Sequence, residues 1–99
     1  MVRDLSEIRE DIDRIDRQLL ELFEERMSLT SQVAAFKMAT GKPVLDQKRE
    51  DEKLARVESL VKKSENAKSA RELFQAIMAI SRAQQQALIQ AETPEESEE

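Results

Sequence analysis

The sequence contains no cysteine and no histidine among its 99 residues. A chain without these residues cannot form disulfides, thiol nucleophiles or Ser-His triads, and it offers no imidazole as a zinc ligand or as an acid–base group. It also has only one glycine, so a glycine-rich loop that cradles phosphates is excluded. These absences remove the common forms of nucleophilic and zinc-dependent catalysis.

Aromatic residues and charge of one sign are equally scarce. The chain has three Phe and no Tyr or Trp, and the net charge of −5 comes from residues 92–99, which hold five Glu and no Lys or Arg. A neutral body without a basic stripe or stacking aromatics is not typical of a nucleic-acid-binding protein. No apolar run approaches the roughly 18 residues that cross a bilayer, and no signal peptide opens the chain. We expect no nucleic-acid or membrane partner and a cytoplasmic location.

What the sequence does contain predicts an all-α fold. Ala, Leu, Glu, Lys, Gln and Arg are abundant, and these residues favour helices. Gly41 and Pro43 make the one sharp interruption, and a polar stretch near residues 62–66 makes a softer one. We predict three helices, at about residues 5–39, 46–62 and 67–91, which together form one domain over residues 1–91. Residues 92–99 are predicted to be a disordered acidic tail.

The first helix carries an apolar seam along its full length. Alternating steps of four and three residues connect nine positions, of which eight are apolar: Ile8, Ile12, Ile15, Leu19, Leu22, Arg26, Leu29, Val33 and Phe36. A helix of about 35 residues is about 50 Å long, and two short helices of the same chain cannot cover it. The seam therefore predicts a partner chain.

Polar residues interrupt the apolar stripes of all three helices. Arg26 lies on the first stripe, Glu50 on the second, and Ser81 and Gln85 lie one turn apart on the third. Each alone is an ordinary snorkelling or hydrogen-bonded polar group. Together they favour one polar pocket inside a helical bundle.

Three more polar residues flank the loop at residues 39–45. Lys37 lies on the face of Arg26, Asp46 is a candidate N-cap of the second helix, and Arg49 lies in its first turn, where backbone N–H groups favour anions. Each taken alone fits a solvated surface or cap residue. Their nearness to the loop adds them to the predicted pocket.

The residues at 8–16, 24–26, 33–37 and 43–50, followed by Ser81 and Gln85, resemble the all-helical class of chorismate mutase over about residues 5–91. The resemblance implies an intertwined antiparallel homodimer of three-helix chains with two identical active sites. Each site would receive Arg9 from the other subunit. Arg9 and Lys37 are 28 residues apart, about 42 Å along one helix, so one chain cannot bring both to one small ligand.

The resemblance also implies the reaction, the isomerisation of chorismate to prephenate in the shikimate pathway of aromatic amino-acid biosynthesis. This intramolecular rearrangement needs no nucleophile, metal or cofactor. Arginine binds carboxylates bidentately, which suits the two carboxylates of chorismate. The arginines assigned to them are Arg9 of the partner, Arg26 and Arg49.

The remaining roles follow from the same resemblance. Lys37 and Gln85 are expected to donate to the ether oxygen as it gains negative charge, and they are the catalytic residues. Glu50, with Ser81 nearby, is expected to hold the ring hydroxyl, and Asp46 lies beside them. Two apolar residues are expected to form the walls of the pocket: Val33 and Ile77.

Two alternatives remain open at this point. One is an isochorismate pyruvate-lyase on the same scaffold, which would use a similar cationic pocket on a close isomer. The other is a non-enzymatic helical dimerisation module, which the apolar seam allows. That second alternative leaves Arg26, Glu50, Ser81 and Gln85 without a shared explanation.

Overall fold

The computed structural model describes residues 2–92 and is all-helical over that range. Helix α1 covers Leu5–Thr40, α2 covers Gln47–Leu60, and α3 covers Ala67–Glu92, with a short 3-10 helix at Ser64–Asn66 before α3. The predicted all-α class with one long and two shorter helices is confirmed. Glu92, which the sequence assigned to the tail, is the last residue of α3. The rest of the predicted disordered tail, residues 93–99, lies outside the described residues.

The ends of the helices near the loop have clear local causes. Gly41 takes a left-handed conformation with φ of 72°, and its N–H donates to the carbonyl of Lys37. Glycine adopts this conformation without a steric cost, so it ends α1 and turns the chain. Asp46 caps α2 as predicted, because its side chain accepts a hydrogen bond of 3.0 Å from the Arg49 N–H. The loop thereby returns the start of α2 to the C-terminal end of α1.

The end of α2 differs slightly from the prediction. The helix stops at Leu60 rather than near residue 62, because Val61 takes an extended conformation with φ of −66° and ψ of 125°. The polar segment that follows forms the single 3-10 turn before α3. The break between the second and third helices is therefore where the sequence predicted it, and it includes a turn of its own.

Helix α3 is the central element of the fold. It packs against α1 and against α2, whereas α1 and α2 do not pack against each other. The core is small and contains four buried apolar residues, Ala34, Leu54, Val57 and Met78. Two polar residues, Ser81 and Gln85, are buried beside them. Buried polar groups in so small a core indicate that the functional site lies there.

Most of the apolar seam on α1 is exposed in the single chain. Leu19 is 55% exposed and Leu22 is 62% exposed. The molecule is 69 Å long with a radius of gyration of 18.2 Å, against about 13 Å for a compact chain of this length. The uncovered seam agrees with the predicted need for a partner chain.

None of the helices within residues 2–92 has the length and apolar character that a membrane span requires. The cytoplasmic location expected from the sequence stays a prediction.

Candidate active site

A cavity of about 190 Å³ lies where α1, the loop before α2, α2 and α3 meet. Eight of the residues that line it are residues that the sequence placed in the pocket: Arg26, Val33, Lys37, Asp46, Arg49, Glu50, Ser81 and Gln85. They come from all three helices, as the polar interruptions of the three apolar stripes predicted. Five further lining residues did not figure in that prediction: Thr30, Val44, Lys53, Met78 and Arg82.

The wall between α1 and α3 is built around Arg26. Its Nη1 donates a hydrogen bond of 2.7 Å to Ser81 Oγ, and Ser81 Oγ donates one of 2.8 Å to the carbonyl of Ile77. A guanidinium has five N–H donors, so this bond fixes Arg26 and leaves donors for a ligand. The Ser81 hydroxyl both accepts and donates, which satisfies a polar group that is only 4% exposed.

Two further hydrogen bonds join α1 to α3 beside Arg26. Thr30 Oγ1 lies 2.7 Å from Gln84 Oε1, and Gln84 Nε2 donates to the carbonyl of Met27 over 2.9 Å. These bonds join a side chain and the backbone of α1 to one side chain of α3. They hold the helices in register next to the cavity.

Lys37 connects α1 to the loop. Its Nζ donates to the carbonyl of Val44, so the ammonium group is directed toward the entry of α2. An ammonium group has three donors, and this bond uses one of them. Lys37 is half-buried and lines the cavity, so its remaining donors are available to a small ligand.

Glu50 makes the one ion pair of the cavity within residues 2–92, and its partner is Arg82 of α3. Arg82 Nη1 donates to Glu50 Oε1. The side chains are 18% exposed for Glu50 and 31% exposed for Arg82. Arg82 follows Ser81 directly and lies off the apolar stripe, so no periodic signal in the sequence pointed to it.

Gln85 is buried, and its side-chain oxygen has no hydrogen-bond partner within residues 2–92. It is 6% exposed, and its Oε1 is the one buried side-chain N or O atom within residues 2–92 that has no hydrogen-bond partner. Leaving such an atom unpaired costs about 1–3 kcal/mol. Oε1 is an acceptor, so the partner that it lacks is a donor, which a ligand hydroxyl can supply.

Two of the predicted site residues do not line this cavity. Arg9 is exposed and lies 17 residues before Arg26, about 25 Å along α1, as expected for a residue that serves another subunit.

Ile77 was expected to form an apolar wall, but Met78 lies there instead. At 100° per residue, Met78 lies about 20° from Gln85 around α3, whereas Ile77 lies about 80° from Gln85 and about 40° from Ser81. Ile77 is therefore at the edge of the face that lines the cavity.

Positive charge dominates the cavity. Five cationic side chains and two carboxylates line it, and Asp46 is already engaged as the cap of α2. Four of the cations, Arg26, Lys37, Arg49 and Lys53, form no ion pair within the described part of the chain. Lys53 was missed, although it follows Arg49 by one helical turn. Unpaired cations around a cavity favour a ligand with more than one negative charge.

Comparisons with known proteins agree with this geometry. The family model described as chorismate mutase type II matches residues 8–86. A curated chorismate mutase of Methanocaldococcus jannaschii is 42% identical over 62 residues, which are 63% of this chain and 63% of that protein. The T-protein of Haemophilus influenzae is 41% identical over 46 residues, which are 46% of this chain and 12% of that protein. No solved structure matches the chain.

The chain thus spans less than two thirds of the length of each of these curated relatives. The family match, in contrast, covers α2 whole, most of α1 and α3, and every residue of the cavity. The resemblance noted from the sequence is therefore confirmed, and the chain belongs to the chorismate mutase type II family.

Proposed function

We propose that the chain is a chorismate mutase that converts chorismate to prephenate. The observation that carries the proposal is that four of the cations lining one small cavity, Arg26, Lys37, Arg49 and Lys53, form no ion pair within residues 2–92. A dicarboxylate needs cations of this kind. Family membership supports the same reaction.

Binding of the two substrate carboxylates is assigned to the arginines. Arg26 is held by Ser81 and keeps free donors, and Arg49 lies in the first turn of α2, where the helix N-terminus favours anions. Gripping both carboxylates fixes the flexible enolpyruvyl arm over the ring. Because the rearrangement is intramolecular, selecting this compact conformer lowers the barrier without any covalent step.

Stabilisation of the breaking bond is assigned to Lys37 and Gln85. The ether oxygen gains negative charge as its bond to the ring breaks, and two fixed donors would stabilise that charge chiefly in the transition state. The bond from Lys37 to the Val44 carbonyl supports a fixed ammonium group. Gln85 lines the cavity, and the N–H groups of its side-chain amide are assigned to this oxygen. Glu50 is assigned to the ring hydroxyl.

The functional unit in this proposal is an antiparallel homodimer. The exposed seam on α1 supports it, because a second copy of the same seam would cover about the same length of apolar surface. Two α1 helices that cross near Leu20 would bring Arg9 of each chain toward the cavity of the other. Arg9 then supplies a third arginine for the substrate carboxylates.

The proposal is tested by adding the purified chain to chorismate and following the loss of its absorbance together with the formation of prephenate. Isochorismate is tested in parallel. If the chain forms salicylate and pyruvate from isochorismate but no prephenate from chorismate, it is an isochorismate pyruvate-lyase and not a mutase. If the chain acts on neither isomer and gains no thermal stability from a bicyclic dicarboxylate analogue of the transition state, it is a non-enzymatic helical dimerisation module.

A further inference from the structure

Arg82 has a place in the site that the assigned roles do not explain. It is the one cation of the cavity with a carboxylate partner in residues 2–92, and that partner is Glu50. A larger cavity of about 380 Å³ lies between α2 and α3, and Glu50, Met78 and Arg82 line both cavities. The Arg82–Glu50 pair is therefore part of the wall that separates the candidate active site from the outer cavity.

Glu50 needs a cationic partner because of what surrounds it. Four other cations line the same cavity, and a carboxylate that is only 18% exposed is stabilised when it pairs with one of them. A pair with Arg26 or Arg49 would take away a group that the substrate carboxylates need. Arg82 reaches Glu50 from α3 and so satisfies the carboxylate from the wall shared with the outer cavity.

The geometry of the pair also leaves one carboxylate oxygen available. The hydrogen bond from Arg82 Nη1 goes to Oε1 of Glu50, and within residues 2–92 Oε2 accepts no side-chain hydrogen bond. An ionised carboxylate accepts at both oxygens. Oε2 can therefore accept the hydrogen bond of a ligand hydroxyl while Oε1 stays anchored.

We infer that Arg82 is a positioning residue that acts through Glu50. It holds Glu50 away from the substrate-binding cations and presents Oε2 to the ring hydroxyl. This inference rests on the proposed function, since it assigns a hydroxyl-bearing dicarboxylate to the cavity. The competing role is direct binding of a substrate carboxylate by Arg82.

A double-mutant cycle separates these two roles. The variants are Arg82→Met, Glu50→Gln and the double variant, and the measurements are kcat/KM for chorismate and the Kd of a hydroxyl-bearing bicyclic dicarboxylate analogue. We expect Arg82→Met and Glu50→Gln each to lower kcat/KM and to raise the Kd of the analogue by about tenfold, the scale of one hydrogen bond to a charged group. If Arg82 acts through Glu50, adding Arg82→Met to Glu50→Gln costs less than about twofold further.

Arg71→Met is the matched control. Arg71 and Glu58 also form an Arg–Glu pair between α3 and α2, at 2.7 Å, but neither residue lines the smaller cavity. The control should leave kcat/KM and the Kd of the analogue unchanged. Arg82→Lys keeps a charged group that can donate to Glu50, so it should recover part of the lost kcat/KM and analogue affinity. Thermal unfolding of every variant checks the fold, and Arg82→Gln replaces Arg82→Met if the latter does not fold.

Each outcome decides between the roles. Equal losses from Arg82→Met in the wild-type chain and in the Glu50→Gln variant would show that Arg82 binds the ligand directly, and no loss in either would show that it is idle; both results overturn the inference. Equal losses in Arg71→Met and Arg82→Met would show a purely structural role. If the wild-type chain binds the analogue but does not convert chorismate, the proposed function is overturned. The role of Arg82 is then still tested by the double-mutant cycle on the Kd of the analogue. A wild-type chain that does neither overturns both.

Discussion

The two halves of α1 share one apolar periodicity but have different surroundings. In the C-terminal half, Ala34 is buried and Arg26 and Thr30 lie within hydrogen-bonding distance of side chains of α3. In the N-terminal half, residues 5–22, no hydrogen bond or ion pair reaches α2 or α3 in the described structure, and the apolar side chains are largely exposed. In the C-terminal half, α1 therefore packs against the chain's own third helix through residues that include Thr30 and Ala34 beside the seam, while the seam itself is exposed there too, at 54% for Leu29 and 57% for Phe36. In our account, a second chain covers the seam.

The largest expected effect compares a leucine of the core, on α2, with a leucine of the N-terminal half of α1. Leu54 is 6% exposed in the core and Leu19 is 55% exposed on the N-terminal half of α1. Leu54→Ala should cost about 2–5 kcal/mol of unfolding free energy. In our account a partner chain covers Leu19, so Leu19→Ala should cost about 2 kcal/mol or more as well, and the Tm of the protein should rise with its concentration.

Denaturant and thermal unfolding at several protein concentrations measure both effects. Arg17→Ala, an exposed residue off the seam, is the control and should stay within about 0.5 kcal/mol. A cost for Leu19→Ala no larger than this control would mean that the N-terminal half is not covered.

The next effect concerns chemistry in the C-terminal half of α1. Lys37→Ala should lower kcat by about 100-fold or more, the scale for removing one fixed donor to a developing negative charge. Unfolding free energy should change little, because within residues 2–92 the Lys37 side chain makes one hydrogen bond, to a backbone carbonyl of the loop before α2. Lys42→Ala, five residues along the chain and outside the smaller cavity, is the matched control. A loss of tenfold or less would remove Lys37 from the catalytic residues.

A smaller and pH-dependent effect is expected at Gln85. Its amide does not titrate, so it donates at any ordinary pH. In Gln85→Glu the carboxyl group can donate only while protonated, and the ionised form would face the negative charge that develops on the ether oxygen. The ratio of kcat/KM between the variant and the wild type should therefore fall as the pH rises, by up to about tenfold per pH unit. Full activity of Gln85→Glu at alkaline pH would contradict the role given to Gln85.

Periodicity predicted the fold and four of the polar residues that line the cavity. Arg26, Glu50, Ser81 and Gln85 were found because each interrupts an apolar stripe, and such an interruption is visible in the sequence alone. Asp46 was found from the chemistry of helix caps. These features depend on local geometry, which the sequence determines directly.

Contacts between helices were less predictable. The Arg82–Glu50 pair depends on how α3 is rotated against α2, and the sequence pattern of either helix does not determine that rotation. Ile77 was predicted as an apolar wall, but Met78 lines the smaller cavity and Ile77 does not. Which of two successive residues reaches the cavity also depends on the rotation of α3, because a shift of one residue turns a side chain by 100°. Met78 and Arg82, which the sequence missed, both lie on α3.

The most direct test of the shared site uses two inactive variants. Arg9→Ala and Lys37→Ala are purified separately, mixed in equal amounts and allowed to exchange subunits, with exchange verified by mass spectrometry of the dimers. In a heterodimer, one cavity combines an intact Arg9 with an intact Lys37 and the other lacks both. Random exchange then restores about a quarter of the wild-type sites, so mutase activity should recover to about a quarter of the wild-type value. No recovery after verified exchange would contradict the account in which the N-terminal half of α1 completes the partner's active site.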